Sequence, residues 1–138
     1  MTDKELVLRK IAMMREPLDR VRRRRPERLA TLQADVDMQD ALVLSLLVAL
    51  QEAIDVAFHI AADEGWGLPP SNAAAFGILG EHGVIEGVMA TELATTVRIR
   101  NRIAHGYATL DLPRVWAELP DGLTLLDAYA KAVVTWLA

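Results

Sequence analysis

The sequence predicts an all-α protein, four main helices in a bundle with short helices between them. Three observations lead there. Apolar residues recur at helical spacing, no segment shows the alternation of a strand, and capping residues and Gly/Pro breakers divide the chain into helix-length segments. No internal repeat is present.

The first helix is expected to begin at Thr2, with Asp3 and Glu5 in its first turn favouring the dipole. Leu6, Ile11, Met14, Leu18 and Val21 give it an irregular apolar stripe, and Pro26 breaks it. Leu29 and Leu32 either open a short turn or carry the helix on. Asp37 or a neighbour caps a second helix, which runs to about Asp63 or Glu64 before Gly65. Its centre, Ala41 to Leu50, is apolar almost all the way round, more than one buried face requires. A two-fold partner is the economical second face, and a central position in the bundle is the alternative. Gln51, Asp55, His59 and Asp63 form an i, i+4 polar ladder, read as an exposed or interfacial edge outside the active site.

Gly65-Trp66-Gly67-Leu68-Pro69-Pro70 is the clearest loop, with Trp66 as a surface-packed side chain. Ser71 caps a short helix from Asn72 to about Leu79, Gly83 breaks the chain again, and His82 lies in that break as a turn residue. Ile85 or Glu86 opens a helix that runs to about His105. Asp111-Leu112-Pro113 starts another through Val115, Trp116 and Leu119. Asp121-Gly122 reads as a turn. Thr124, with Asp127 three residues later, then caps a last helix striped with Leu125, Ala128, Ala132, Val133 and Trp136.

The 138 residues are expected to form one domain, 1–138, large enough to bury a real core. The N-terminus lacks an apolar signal core and no long apolar stretch is free of charge, so the expectation is a soluble cytoplasmic protein that does not engage a membrane. With no cysteine and only three histidines, disulfides and thiolate chemistry are excluded, a structural zinc site is not expected, and no cofactor is implied.

The net charge of −4 conceals a strong segregation. Residues 9–28 hold nine Arg/Lys against three acids, a net of +6, whereas residues 29–97 hold ten acids and no base. Positive charge returns at Arg98, Arg100 and Arg102. Such a pattern suits a polyanion handled at two places and repelled elsewhere, with Arg22, Arg23, Arg24 and Arg25 as candidate contacts to it. A solvated helix end is the plainer account of a charge run.

The densest polar stretch is Arg98-Ile99-Arg100-Asn101-Arg102-Ile103-Ala104-His105-Gly106-Tyr107. On a helix, Arg98, Asn101 and His105 share a face, and Leu93, Val97 and Ala104 mark an apolar arc opposite Arg102. Arg100 falls inside that arc. An Arg there must be paired, or must face a cleft or a second subunit. Singly, these residues are equally well explained as last-turn charges complementing the dipole, with Gly106 ending the helix. Arg100, Asn101, His105 and Tyr107 together point to a site. His serves as acid or base near neutral pH and the Arg fork fits phosphate oxygens, which meets two of the needs of metal-free RNA cleavage. Asn101 is placed to orient His105 or the phosphate. One His does not easily fill both proton-transfer roles, and a two-fold dimer would supply a second.

Arg100, four residues, His105, one residue and Tyr107 reproduce the R-x4-H-x-Y motif of the HEPN superfamily, and the stretch resembles its HepT branch. The loop at 65–70, Ala75-Phe76-Gly77-Ile78-Leu79 and His82-Gly83-Val84-Ile85 follow in the order seen in HepT-like chains, so the likeness spans nearly the whole sequence. It implies a HEPN-type up-and-down bundle and a metal-independent endoribonuclease toxin whose Arg and His meet at a homodimer interface. Catalysis is then expected from Arg100, His105 and Asn101, and RNA contacts from Arg98, Arg102 and Arg22 to Arg25. It also implies an MNT-type nucleotidyltransferase antitoxin able to adenylylate Tyr107, where added charge and bulk would block RNA phosphate. The alternative is a non-enzymatic helical module that binds and assists a nucleotidyltransferase.

Overall fold

The computed structural model describes residues 1–138 and contains helices, turns and loops only. Six helices follow in order: α1 (Lys4–Arg24), α2 (Leu29–Gln33), α3 (Val36–Asp63), α4 (Asn72–Glu81), α5 (Gly87–Gly106) and α6 (Leu112–Leu137). A single 3-10 turn, Tyr107–Thr109, joins α5 to α6. The four long helices are the predicted bundle, with α1 packed along α3, α4 against α5, and α6 bridging α1 and α5.

Local chemistry accounts for the boundaries. The Asp3, Asp35, Ser71 and Asp111 side chains accept from the N–H three residues on, at 3.1, 3.0, 3.1 and 3.2 Å, and so cap α1, α3, α4 and α6. The first cap is Asp3 rather than Thr2, because the Thr2 hydroxyl is drawn inward to Glu64 at 2.9 Å. Helices α3 and α4 both end with a left-handed glycine. Gly65 (φ 73) and Gly83 (φ 76) let the following N–H groups of Trp66 and Val84 return to Ala61 and Leu79 at 2.9 and 3.0 Å.

One cluster of 33 buried residues forms the core, with Phe76 edge-on to Tyr129 and the Tyr129 hydroxyl donating to the Ala53 carbonyl. Gly80 lets α4 and α5 close up, since a Cβ there would stand 2.9 Å from the Ala90 Cβ. By length and composition α3 is apolar enough to cross a membrane, yet 56% of its most apolar window is buried in the bundle. At the far end from the Arg100 motif, Trp66 stacks on His82 at 4.0 Å and meets Trp136 edge-on, so both residues pack in an aromatic cluster.

The expected turn at Asp121-Gly122 is absent, because α6 runs unbroken through Pro120. Proline removes the N–H that would bond the carbonyl of Trp116, four residues earlier. That carbonyl instead accepts from the Arg25 guanidinium at 3.0 Å. The same guanidinium lies 4.3 Å from the centre of the Trp116 ring, and the indole N–H donates to the Pro26 carbonyl at 3.2 Å. A side chain from the end of α1 thus replaces a backbone amide of α6. Thr124, expected as a cap, lies within the helix and donates back to the Pro120 carbonyl, while Asp127 pairs with Arg22.

Arg25→Ala should therefore lower stability by about 2 kcal/mol, a charged hydrogen bond and a stacked cation being lost together. Urea unfolding measures it, and Arg25→Lys, which keeps the charge but not the planar fork, should recover less than half.

Candidate active site

The last two turns of α5 carry the motif, and Gly106 ends the helix so that Tyr107 enters the 3-10 turn. Arg100 sits on the side of α5 that faces α3 and is half-buried. As its position demands, it is paired: Nε donates to Gln51 Oε1 at 3.0 Å and a terminal nitrogen to Asn101 Oδ1 at 3.1 Å. Gln51 in turn donates to Asp55 at 3.3 Å, and Lys10 of α1 lies 3.8 Å from Asp55 and 3.6 Å from Glu52. This chain fixes the Gln51 amide with its oxygen toward the arginine. The guanidinium is left with free donors on its outer edge, the geometry that takes a phosphate.

Gln51 and Asp55 belong to the ladder that the sequence placed outside the site. They hold the motif arginine, and only their i+4 spacing beside an apolar face hinted at it. His59 and Asp63, further along, do not gather with them into a metal-ligand set. Asn101 bonds Arg100 rather than His105, so its role lies with the guanidinium. His105 is exposed, and the hydrogen bonds of the motif go to its neighbours. On the helix it points about 140° away from Arg100, so the two do not converge within one copy of the chain.

The Tyr107 hydroxyl donates to Asp40, one more residue that the sequence did not single out. The carboxylate raises the phenol to about 12 from its ordinary 10.0, first through this hydrogen bond, then through burial and like charge. Tyr129, the only other tyrosine, is fully buried and is pushed up further by desolvation.

The two ties, Arg100 to Gln51 and Tyr107 to Asp40, span one exposed stripe of α3. Val36, Asp40, Leu44 and Val48 follow at four-residue steps, and Leu44 and Val48 lie between the ties, 61% and 38% exposed. Ala104, expected in the buried arc of α5, is exposed, and Ile103 is buried instead. The all-round apolar character of α3 thus has two causes, a face in the core and a face left open next to the motif.

The remaining basic candidates separate. Arg98 and Arg102 line a cleft of about 640 Å³ between α5 and α6, together with Arg114 and the acids Glu92, Asp111, Glu118 and Asp121. That cleft carries one more acid than base, so it does not attract phosphate as a whole. Arg22 is tied to Asp19 at 2.9 Å and to Asp127, and Arg25 is engaged with Trp116. Arg23 and Arg24 are exposed and form no ion pair.

An all-α bundle with R-x4-H-x-Y at the end of its fifth helix defines the HEPN class of protein. The chain belongs to the HepT-like family, whose model, described as ribonuclease HepT-like, matches residues 14–133. It is 26% identical to the mRNA nuclease HepT of Shewanella oneidensis over 108 residues, 78% of this chain and 80% of that one. It is 27% identical to the tRNA nuclease HepT of Aphanizomenon flos-aquae over 92 residues, 67% of this chain and 63% of that one. Its fold matches that of a tri-AMPylated Shewanella oneidensis HEPN toxin solved in complex with an MNT antitoxin. There the TM-score is 0.87 at 24% identity, covering 98% of this chain and 99% of the other.

In an alkaline difference spectrum, neither tyrosine should ionise with a midpoint near 10, and Asp40→Asn should return one of the two to about that value. A wild-type midpoint near 10 would show that the Asp40 contact does not form.

Proposed function

We propose that the chain is a metal-independent endoribonuclease toxin of a toxin–antitoxin module, acting in the cytoplasm as a homodimer of the single domain 1–138. The observation that carries this reading is the prepared Arg100: a half-buried guanidinium, oriented by Gln51 and Asn101, beside an exposed apolar stripe. A second copy laid on Leu44 and Val48 by a two-fold axis would bury that stripe and bring two Arg100 and two His105 side chains into one cleft. The divergence of Arg100 and His105 within one copy also favours a shared site.

In that cleft the arginines bind the scissile phosphate and offset the charge that develops at phosphorus. One His105 takes the proton of the ribose 2′-hydroxyl as its oxygen attacks. The partner subunit's His105 gives a proton to the departing 5′-oxygen, leaving a 2′,3′-cyclic phosphate and a 5′-hydroxyl. No step asks for a metal ion. Arg23 and Arg24, free of ion pairs, are the members of the basic run left to follow the RNA backbone, and Arg98 and Arg102 flank the motif on its α6 side.

Tyr107 lies two residues from His105, and its hydroxyl sits at the rim of the same stripe. An AMP group there would bring negative charge and bulk to the place where RNA phosphate binds, which is a physical basis for control by an MNT-type nucleotidyltransferase antitoxin.

Purified protein should cleave RNA in EDTA. Cleavage should fall by about 10²–10⁴-fold in His105→Ala, the range for a lost general acid or base, and by about 10²–10³-fold in Arg100→Ala, with circular dichroism unchanged. Wild-type rates in either variant, or cleavage that needs added metal, would refute the mechanism. A charge on the stripe should act at a distance: Leu44→Asp is expected to convert the dimer to monomer by light scattering and to remove cleavage, although it touches no reacting group.

A further inference from the structure

The Asp40 carboxylate has no structural task that explains its position. It caps no helix and forms no ion pair. It is exposed on α3 at the end of the open stripe, and its one side-chain bond is to the Tyr107 hydroxyl, 67 residues away in the chain. Tyr107, in turn, is 44% exposed in a short 3-10 turn and has no other side-chain partner. The pair is an acid and a nucleophile held together at the surface, within reach of a second protein.

A phenol held at about 12 is a poor nucleophile by simple ionisation, with only about one molecule in 10⁵ ionised at pH 7. Any group transfer to its oxygen at neutral pH therefore needs a base that removes the proton while the new bond forms. The same hydrogen bond that raises the phenol supplies that base. As the oxygen bonds to an electrophile its proton becomes strongly acidic, and the carboxylate already accepting it is the nearest place for it to go. The hydroxyl spends its hydrogen on Asp40 and keeps its lone pairs for the incoming phosphorus.

We propose that Asp40 is the proton acceptor for nucleotidyl transfer onto Tyr107, holding the phenol for attack and taking its proton in the transfer step. The proposal rests on the reading of Tyr107 as the modified residue. The phenolic oxygen forms a bond to the α-phosphorus of a nucleoside triphosphate brought by the nucleotidyltransferase. The bond from that phosphorus to the bridging oxygen breaks, pyrophosphate leaves with the electron pair, and the phenolic proton passes to Asp40 and then to water. Part of the catalytic machinery for its own modification thus lies in this chain.

The test uses the full chain, radiolabelled ATP and an MNT-type nucleotidyltransferase selected for loading AMP onto the wild type, with the site read by mass spectrometry and Tyr107→Phe as the control. Single-turnover transfer to Asp40→Asn, which keeps an acceptor but not the basicity, should be slower by about 10²-fold or more, while its affinity for the transferase is unchanged. Asp40→Glu should recover part of the rate. Transfer to Asp40→Ala should rise with added formate, a response that a merely structural carboxylate would not give. Transfer to Asp40→Asn within threefold of the wild-type rate would overturn the proposal and leave Tyr107 modification standing. Absence of AMP from wild-type Tyr107, or its presence on another residue, would overturn both.

Discussion

The hydrogen bond from Arg100 to Gln51 is the contact on which the arrangement of the motif depends. A guanidinium on the inward side of a helix is tolerated only with an acceptor in place. Gln51 can be that acceptor because its own amide is turned by Asp55, which Lys10 in α1 steadies from behind. Three helices therefore agree on the position of one cation. The register between α3 and α5 that this sets also brings Tyr107 to Asp40 and leaves Leu44 and Val48 uncovered between the two ties. An open apolar stripe and an oriented guanidinium are two results of the same packing.

Most of the fold could be read in the sequence because its signals are local. Ser71 and Asp111 cap through bonds three residues long, and Gly65 and Gly83 end their helices by their own backbone angles, whereas the caps of α1 and α3 are Asp3 and Asp35, one residue after Thr2 and two before Asp37. What escaped depends on contacts across the chain. Nothing near Asp121-Gly122 reveals that Arg25 holds the carbonyl freed by Pro120, so the local turn signal was misleading. The site divides in the same way. Arg100, His105 and Tyr107 announce themselves by spacing, and the need for a partner to Arg100 follows from its place in the apolar arc. The identity of that partner lies 49 residues away, and Asp40 is 67 residues from Tyr107, distances at which spacing carries no information.

Charge segregation in the sequence has a more specific meaning in three dimensions. The basic run at the end of α1 is part scaffold, since Arg22 is shared between Asp19 and Asp127 and Arg25 supports α6. Arg23 and Arg24 alone remain unengaged at that place. The acid-only stretch from 29 to 97 forms α2, α3, α4 and the first part of α5, and its α3 portion lies against the motif. Within it, Asp55 and Asp40 are the acids set to work on the motif itself, one through Gln51 and one directly.

The substitution of a side chain for a backbone amide at Trp116 gives two distant positions a shared history. A lineage that exchanges Pro120 first regains the ordinary helix bond and leaves Arg25 with only its stacking on Trp116. One that exchanges Arg25 first strands a carbonyl and a tryptophan face and must pass through a weakened protein. The two changes are the same in either order, yet the order that begins at Pro120 passes through the less weakened protein.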